Sequence, residues 1–386
     1  MRGIHLAIVI KNIDGGTGTF LRQMVKIGKP IDKISVLALE EPTYIPLKKP
    51  GVIYCRHKNN KDEPNGLLPV LTILTKEFSF LAKELKKTKP DVILSIDTHC
   101  NMLVCLIKLI VNPKSRLILT IHNNISGVFK YKQHLFPIWL IRFSGHLLFK
   151  LSSCMVGVSK GVTGNIIDNF HPTVPVHTIY YGLDPKPIKK LIKQRLSLSE
   201  TRLFSPKTPS IVTVSRLAGQ KDVRTLIWAS IKLFKRGVDH NLVIVGDGKE
   251  KNDFIKLIKK FKLSKKIHIL GWKKNIYPYL KRSDVFVLST HYEGFPYVLL
   301  EAMVVGLPIV STNVDFGPKE MLANGKYGLL SAADDPDDLS DKIELLINKP
   351  DIRSRLYLKS RERIKDFTEE KMLQKYRNLI QKNSQR

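Results

Sequence analysis

The sequence predicts an α/β protein with two doubly wound parallel sheets, one in each half of the chain. The chain has 386 residues, whereas a single hydrophobic core stops growing near ~250–300 residues, so two domains are favoured. Short apolar strands alternate with helices, most cleanly after residue 210, and this alternation is typical of parallel sheets covered on both faces. Between residues 185 and 209 the composition is polar and lysine-rich, with prolines at 185, 187, 206 and 209, and the predicted linker is 191–209.

The composition favours a folded, basic protein with an anionic partner. Hydrophobic residues make up 43% and charged residues 25% of the chain, which excludes a disordered protein. Lys and Arg number 64 against 34 Asp and Glu, a formal net charge of +30. This charge suits nucleic acid, a phosphorylated ligand or an anionic membrane, although a lysine-rich proteome would explain it without a partner. The acidic residues are unevenly spread, since none occurs between Asp97 and Asp168.

The cysteines and the N-terminus favour a cytoplasmic protein. The four cysteines lie mostly in apolar surroundings and form no CxxC pair, so we expect reduced core thiols and neither zinc nor disulfides. The first residues form an apolar run too short for a secretory signal and predict a strand instead. The longest apolar runs, 100–111 and 135–151, are short or interrupted and do not predict a transmembrane helix.

The first half contains two weak signals for a binding site. Strands are predicted at 5–10, 35–39, 91–96, 116–121, 154–159 and 176–180, with helices at 20–27, 67–87 and 160–169. A glycine loop with Gly15 and Gly16 follows the first strand, and its amides with the helix dipole favour a phosphate. It matches neither G-x-G-x-x-G nor a P-loop, so a plain tight turn explains it equally well. His122 follows the fourth strand, where either a ligand contact or a structural histidine is compatible with the sequence.

The stretch between residues 131 and 151 has an unusual composition. It is rich in aromatic residues, with Lys and Arg interspersed, and lies inside the acid-free segment. This pattern is typical of an amphipathic helix at a membrane interface. A helix packed on the protein core is the alternative.

The second half predicts a cleaner parallel sheet around one central stretch, residues 289–313. Strands are predicted at 210–214, 242–245, 267–270, 285–288, 309–311 and 328–330, with helices at 223–236, 249–262, 276–282, 297–305, 318–323, 337–348 and 365–385. Glu293 lies in the loop of the central stretch, and Glu301 follows about two helical turns later. Both are placed to face a ligand at the carboxyl ends of the strands. Two incidental acids in a βαβ unit are the alternative.

These residues resemble the E-x7-E signature of the retaining glycosyltransferase family 4, which has the GT-B fold. The resemblance rests on Glu293-Gly294-Phe295-Pro296 followed by Glu301-Ala302-Met303, Gly306 and Pro308. Val214-Ser215-Arg216-Leu217 with Lys221 is similar to the basic pair of the family, and Val245-Gly246-Asp247-Gly248 to its next strand end. The match is strong over about 210–350 and weaker over 1–200.

The resemblance implies two Rossmann-like domains facing a central cleft. They would be an acceptor-binding domain at 1–190, the linker at 191–209, a nucleotide-sugar-binding domain at 210–364, and a C-terminal helix at 365–386 that crosses back to the first domain. It also implies a role for each matched residue. Arg216 and Lys221 would neutralise the diphosphate, which suits the charge that develops on a leaving nucleotide. A surface pair of basic residues is the alternative.

The remaining implied roles concern the sugar and the nucleoside. Glu293 would hold sugar hydroxyls and Glu301 the ribose, because a carboxylate offers two acceptor oxygens to a vicinal diol. His122 would contact the donor sugar and steady a positively charged transition state. The implied catalytic residues are His122, Glu293, Arg216 and Lys221. The implied donor-binding residues are Gly15, Gly16, Arg216, Lys221, Gly246, Gly271, Trp272, Glu293, Gly294, Phe295, Pro296, Tyr297 and Glu301.

We therefore expect a retaining transferase of a hexose or N-acetylhexosamine, with a UDP-sugar as co-substrate. No tightly bound cofactor and no metal are expected. The acceptor would be a glycan or a lipid-linked glycan of surface polysaccharide, lipopolysaccharide or glycolipid synthesis, at the inner face of the cytoplasmic membrane. Alternatives are a nucleotide-sugar epimerase or phosphorylase of the same architecture and, far less favoured, a basic nucleic-acid-binding protein. The last lacks aromatics interleaved with arginine on strands.

Overall fold

A computed structural model describes residues 3–40, 52–56, 67–111, 114–131, 137–205 and 207–385. Within it the chain divides into two compact units. Unit 1 comprises Met1–Tyr181 together with Glu369–Arg386, and unit 2 comprises Gly182–Thr368. The boundary thus falls between Tyr181 and Gly182 instead of at residue 190.

Unit 1 is built on a seven-stranded sheet. Its strands run in the order β3-β2-β1-β4-β5-β6-β7, and all neighbouring strands pair in parallel. In a doubly wound sheet of this order the switch point lies between β1 and β4, where ligands bind beyond the carboxyl ends of the strands. The strands are β1 (Ile4–Ile10), β2 (Ile31–Ala38), β3 (Val52–Arg56), β4 (Val92–Ile96), β5 (Arg116–Ile121), β6 (Cys154–Gly157) and β7 (Val176–Thr178).

Helices connect these strands. They are α1 (Gly15–Met24), α2 (Leu67–Thr88), α3 (Asp97–Val111), α4 (Ile125–Tyr131), α5 (Ile138–Phe149) and α6 (Lys160–Phe170). The central strands are almost entirely apolar and buried, as expected where helices cover both faces of a parallel sheet.

Unit 2 repeats the same winding with six strands. The order is β10-β9-β8-β11-β12-β13, again with parallel pairing, so its switch point lies between β8 and β11. The strands are β8 (Ser210–Val214), β9 (Asn241–Val245), β10 (Ile267–Ile269), β11 (Val285–Leu288), β12 (Ile309–Thr312) and β13 (Leu329–Ser331). Fully buried side chains of these strands and of the helix after β8 form one hydrophobic core, to which Leu226, Ile244 and Val287 belong.

Helices also connect the strands of unit 2. They are α7 (Pro185–Leu191), α8 (Leu198–Thr201), α9 (Val223–Lys235), α10 (Lys251–Lys260), α11 (Tyr277–Arg282), α12 (Tyr297–Val305), α13 (Pro318–Met321), α14 (Pro336–Asn348) and α15 (Pro350–Arg363). The last helix, α16 (Glu369–Ser384), belongs to unit 1, where Arg377 donates to the carbonyl of Ile27. Among the described residues, no helix combines the length and apolarity that a membrane crossing needs.

The stretch 191–209, predicted as a linker, is instead part of unit 2. Its helix α8 begins with a capping box in which Ser197 and Glu200 satisfy each other's backbone amides. The hydroxyl of Tyr279 also donates to Glu200 over 2.6 Å. Local capping and this tertiary contact order a segment whose polar composition alone indicates a loop.

Other elements also differ from the prediction. Helix α1 begins at Gly15 instead of residue 20, because burial of Phe20, Leu21 and Met24 offsets the roughly 1 kcal/mol that a helical glycine costs. Strand β3 was not predicted, since it is a short edge strand between polar stretches. Within the predicted amphipathic stretch 131–151, α5 covers Ile138–Phe149, and residues 132–136 lie outside the described residues.

Candidate active site

An ion pair lies at the switch point of unit 2. Lys221 lies in the loop after β8, Glu293 lies in the loop after β11, and these two strands are neighbours in the sheet. The Lys221 ammonium donates to Glu293 Oε1 over 2.5 Å. The side chains are only 16% and 6% exposed, respectively. The fold therefore joins the predicted phosphate-binding lysine to the predicted sugar-binding glutamate.

Hydrogen bonds hold the two loops together around this pair. Thr290 donates to the Gln220 carbonyl over 2.9 Å and contacts Glu293 Oε1 at 3.2 Å. The Gln220 side chain donates to the Tyr292 carbonyl over 3.0 Å. The Thr290 carbonyl also accepts from the side-chain hydroxyl of Thr312 on β12 over 2.8 Å. These bonds fix the glutamate on a rigid frame at the end of the sheet.

Arg216, the second predicted basic residue, lies on the exposed side of the same loop. Its guanidinium donates to Gln220 Oε1 over 3.2 Å. Since a guanidinium carries five N–H donors, this contact leaves most of its capacity for an anion. Gln220 thus links Arg216 to the loop that carries Glu293, a link that the sequence did not predict.

Glu301, the second carboxylate of the signature, lies on α12. Its Oε1 accepts from the hydroxyl of Tyr277, at the start of α11, over 3.1 Å. The side chain is partly exposed, in contrast to Glu293. The tyrosine orients the carboxylate, and the sequence offered no spacing that would have indicated this partner.

The backbone after β9 and β10 forms a close-packed edge. Gly246 has a φ of 154°, and a Cβ at this position would lie 1.8 Å from the Ser215 carbonyl oxygen. Only glycine therefore allows the ends of β8 and β9 to approach this closely. Gly246 donates to the Gly271 carbonyl over 2.9 Å. Trp272, the next residue, is exposed and presents its ring to solvent.

The residues between the two glutamates offer a ligand backbone groups more than side chains. Phe295 is buried and packs edge-to-face against Phe367 at 5.2 Å, so its ring belongs to the core of unit 2. Pro296 occupies the N-cap position of α12 without a capping hydrogen bond and has no N–H. Gly294 and Tyr297 are buried beside it. A ligand at this helix start would meet backbone amides of the segment and not the phenylalanine ring.

In unit 1, Gly15 and Gly16 form the exposed first turn of α1. Gly15 has a φ of 63° while a Cβ there would meet nothing within 4 Å, so conformation and not space requires the glycine. The turn is held by Asn12, whose side chain accepts from the Asp14 amide over 2.7 Å. Gly15 and Gly16 thus lie at the N-terminus of α1, and phosphate binding there stays a prediction.

His122 is buried and has a partner on each ring nitrogen. Thr120 donates its hydroxyl to the Ser95 carbonyl over 2.8 Å, so it accepts from His122 Nε2 at 2.7 Å. His122 Nδ1 then accepts from the Tyr181 hydroxyl. Burial lowers the pKa of His122 to about 3, so the imidazole is neutral. It follows that this histidine is an uncharged part of a hydrogen-bonded chain.

The structure therefore separates the predicted site residues into two groups. Unit 2 brings Arg216, Lys221 and Glu293 into one hydrogen-bonded network at its switch point and keeps Glu301 on the next helix. Unit 1 carries Gly15, Gly16 and His122. The residues that sequence reasoning missed are the partners that orient these groups, namely Thr290, Gln220, Tyr277 and Tyr181.

Two family models match the chain in consecutive segments. "Glycosyltransferase Family 4" matches residues 36–187, and "Glycosyl transferases group 1" matches residues 195–366. Together with the fold, these matches define a glycosyltransferase of the GT-B fold. The chain belongs to the group 1 glycosyltransferases of family 4.

Relatives with curated names match most of the chain. An uncharacterized glycosyltransferase of Methanocaldococcus jannaschii is 26% identical over 364 residues, covering 83% of this chain and 86% of its own. The N-acetylgalactosamine-N,N'-diacetylbacillosaminyl-diphospho-undecaprenol 4-alpha-N-acetylgalactosaminyltransferase of Campylobacter jejuni is 26% identical over 310 residues, covering 79% and 80%.

Solved structures share the fold over nearly the whole chain. Sucrose-phosphate synthase from Thermosynechococcus elongatus has a TM-score of 0.81 at 15% identity and covers 98% of both chains. Anabaena HepE in complex with UDP has a TM-score of 0.78 at 17% identity and covers 98% of this chain and 100% of its own. At these identities the likeness concerns the fold alone.

Proposed function

We propose that the protein is a retaining glycosyltransferase that moves a hexose or N-acetylhexosamine from a UDP-sugar to a lipid-linked or glycan acceptor. The observation that carries this proposal is the Lys221–Glu293 pair at the switch point of unit 2. The pair places a cation next to a carboxylate. A nucleotide sugar requires both, because its diphosphate needs a cation and its sugar hydroxyls need an acceptor.

Lys221 and Arg216 would bind the diphosphate. An ammonium has three donors, and the contact with Glu293 occupies one of them, so Lys221 can hold the carboxylate and a phosphate oxygen together. Charge accumulates on the phosphates as the sugar leaves, and fixed donors aimed at such charge contribute roughly 3 kcal/mol each. Both basic residues are therefore expected to act mainly on the transition state.

Glu293 and Glu301 would bind hydroxyl groups. Each carboxylate has one oxygen with a described side-chain partner, Lys221 and Thr290 for Glu293 and Tyr277 for Glu301. Such partners fix the carboxylate in one orientation, which favours recognition of a vicinal diol. Glu293 is assigned to the sugar and Glu301 to the ribose. The UDP complex of HepE, which shares the fold, supports a uridine nucleotide.

The proposed retention of configuration uses same-face displacement, in which the leaving phosphate takes the proton of the acceptor hydroxyl. The proposal names no protein base. His122 would contribute as a neutral group, because an imidazole with its pKa lowered to about 3 does not repel a positively charged sugar. To contact a sugar hydroxyl, its Nδ1 would exchange the bond from Tyr181.

A membrane-associated, lipid-linked acceptor is supported by the surface of α5. Trp139, Phe143 and Leu147 are 65%, 59% and 40% exposed and follow one another at helical spacing along one side of the helix. Exposed apolar rows with nearby Arg142 and Lys150 are typical of helices that lie on anionic membranes. The Campylobacter relative is named for an undecaprenol-linked acceptor, which agrees with this proposal.

An acceptor-dependent assay of UDP release tests the transferase proposal. The purified protein is mixed with UDP-hexoses and UDP-N-acetylhexosamines, with and without lipid-linked glycans. UDP that is released only when both substrates are present supports the transferase. Interconversion of UDP-sugars without an acceptor would instead identify an epimerase.

Sedimentation with phosphatidylglycerol-containing liposomes at low salt tests the membrane part. We expect the wild type to sediment and Trp139→Ser/Phe143→Ser to remain in solution. Leu358→Ser is the matched control, because Leu358 on α15 is 67% exposed and lies outside α5. The membrane part of the proposal fails if the double variant sediments as the wild type does. It also fails if the wild type does not sediment.

A further inference from the structure

Three side chains in unit 2 meet beside the ion pair although they are far apart in sequence. Asp222, His291 and Asp334 each offer one ligand atom, and these atoms all lie within 4.8 Å of one another. Asp222 follows Lys221 at the start of α9, His291 lies in the loop after β11, and Asp334 lies in the loop after β13. His291 Nδ1 and Asp334 Oδ1 are 3.0 Å apart.

Asp222 points to a bound ligand because its carboxylate is buried and only half paired. It is the most buried of the three residues, at 8% exposed. One oxygen, Oδ1, accepts from the Thr225 amide over 3.3 Å and so caps α9. The other oxygen, Oδ2, is buried and has no hydrogen-bond partner among the described residues. A buried carboxylate oxygen without a partner is costly, and such oxygens call for a water or an ion.

We propose that Asp222, His291 and Asp334 bind a divalent transition-metal ion, with Zn²⁺ as the best match and Mn²⁺ as the second. One imidazole nitrogen with two carboxylate oxygens is a donor set that suits these ions, whereas Mg²⁺ and Ca²⁺ prefer oxygen alone. Ligand atoms around Zn²⁺ lie roughly 3.4 Å apart, since each is about 2.1 Å from the ion. Solvent would complete the coordination on the exposed side, at Asp334.

The ion would join three loops at the same edge of the sheet. Two of them carry the Lys221–Glu293 pair, since Asp222 adjoins Lys221 and His291 lies close to Glu293 in sequence. Binding would hold both loops in place. The existence of the metal site is independent of the proposed function, and only an effect on nucleotide affinity rests on it.

Titration of the full-length, chelator-washed protein with Zn²⁺ alone tests the site. A chromophoric zinc chelator reports the affinity by competition. We expect one site per chain in the wild type and an affinity at least 100-fold weaker in Asp222→Asn and in Asp334→Asn. Asparagine still caps a helix, so Asp222→Asn is expected to fold. Asp315→Asn, which removes an exposed acid of the same unit, is the control and should bind Zn²⁺ as the wild type does.

Thermal unfolding provides a second readout, because an ion that binds only the folded state raises the Tm of the protein. Zn²⁺ should raise the Tm of the wild type and of Asp315→Asn but not of Asp222→Asn, and equal concentrations of Mg²⁺ or Ca²⁺ should have a smaller effect. Zn²⁺ binding that persists in both Asp222→Asn and Asp334→Asn, or that is absent in the wild type, would overturn the proposal. UDP binding measured on the same samples shows separately whether the proposed function fails.

Discussion

The carboxyl ends of the strands in the two units share a topology but satisfy their polar groups in opposite ways. In unit 2, Lys221 and Glu293 form a largely buried ion pair. In unit 1, His122 is buried as a neutral imidazole between Thr120 and Tyr181. The side chains that follow the strands, and not the winding of the sheet, therefore decide which unit carries charge for an ionic ligand.

This difference has an energetic consequence. A buried ion pair depends on both partners, since removal of one leaves a charge with its desolvation penalty uncompensated. A buried neutral histidine depends on the absence of a proton, since charging it would break the bond that Nδ1 accepts. Unit 2 should accordingly be sensitive to loss of a partner and unit 1 to acid.

The largest effect is expected for Lys221→Ala. It leaves the Glu293 carboxylate buried without its cation, so the free energy of unfolding of unit 2 should fall by about 3 kcal/mol. Urea denaturation with pulse proteolysis measures this loss. Lys232→Ala is the matched control, because its partner Asp337 is 61% exposed, and surface pairs contribute about 0–1 kcal/mol.

The double variant sharpens this prediction. Lys221→Ala combined with Glu293→Gln removes the stranded charge, so it should recover part of the stability that Lys221→Ala loses. If Glu293→Gln destabilises the Lys221→Ala variant as much as it destabilises the wild type, the two side chains are energetically independent.

The second effect concerns pH and unit 1. The pKa of His122 is lowered from 6.5 to about 3 by burial. Between these values the unfolded state binds a proton that the native state does not, so stability present above pH 6.5 is lost as the pH falls. The expected loss is about 2 kcal/mol between pH 7 and pH 5. Amide hydrogen exchange of the β5 peptide, corrected for the intrinsic rate, measures it.

His122→Gln should remove this part of the pH dependence. His171→Gln is the control, because it removes an exposed imidazole from the same unit and should leave this pH dependence unchanged. If wild type and His122→Gln lose the same stability between pH 7 and pH 5, the histidine is not held neutral as described.

The smallest effect is expected for Tyr277→Phe. Loss of the hydroxyl that donates to Glu301 should weaken UDP binding roughly fivefold, or about 1 kcal/mol, because the carboxylate loses its orientation. Isothermal titration calorimetry measures this change. Tyr327→Phe is the control, since Tyr327 contacts Glu362 at 3.5 Å on another helix of unit 2. If Tyr277→Phe binds UDP as tightly as the wild type does, Tyr277 does not contribute to nucleotide binding.

The fold was largely predictable because strand hydrophobicity and glycine or proline boundaries are local signals. All six strands of unit 2 were predicted within a few residues, and β3 was missed because an edge strand between polar stretches gives a weak signal. Segment 191–209 was misassigned because the contact from Tyr279 to Glu200 is not visible in composition.

The site was predictable only as far as the motif residues. The basic and acidic residues have a recognisable spacing, but the contact between Lys221 and Glu293 depends on the pairing of β8 with β11. The neutral state of His122 depends on its burial, and the ring nitrogen that donates is set by Thr120, whose hydroxyl donates to the Ser95 carbonyl in a tertiary contact. The cluster of Asp222, His291 and Asp334 arises from three separate loops and leaves no sequence pattern.

The central claim is that unit 2 binds a uridine nucleotide sugar through its two glutamates and two basic residues. Calorimetric titration of the wild type and of Glu301→Ala with UDP-, GDP- and ADP-sugars tests it most directly. We predict that UDP-sugars bind the wild type most tightly and that Glu301→Ala binds them at least tenfold more weakly, or about 1.4 kcal/mol. A wild type that binds none of these nucleotide sugars, or a Glu301→Ala variant that binds them unchanged, would contradict the account.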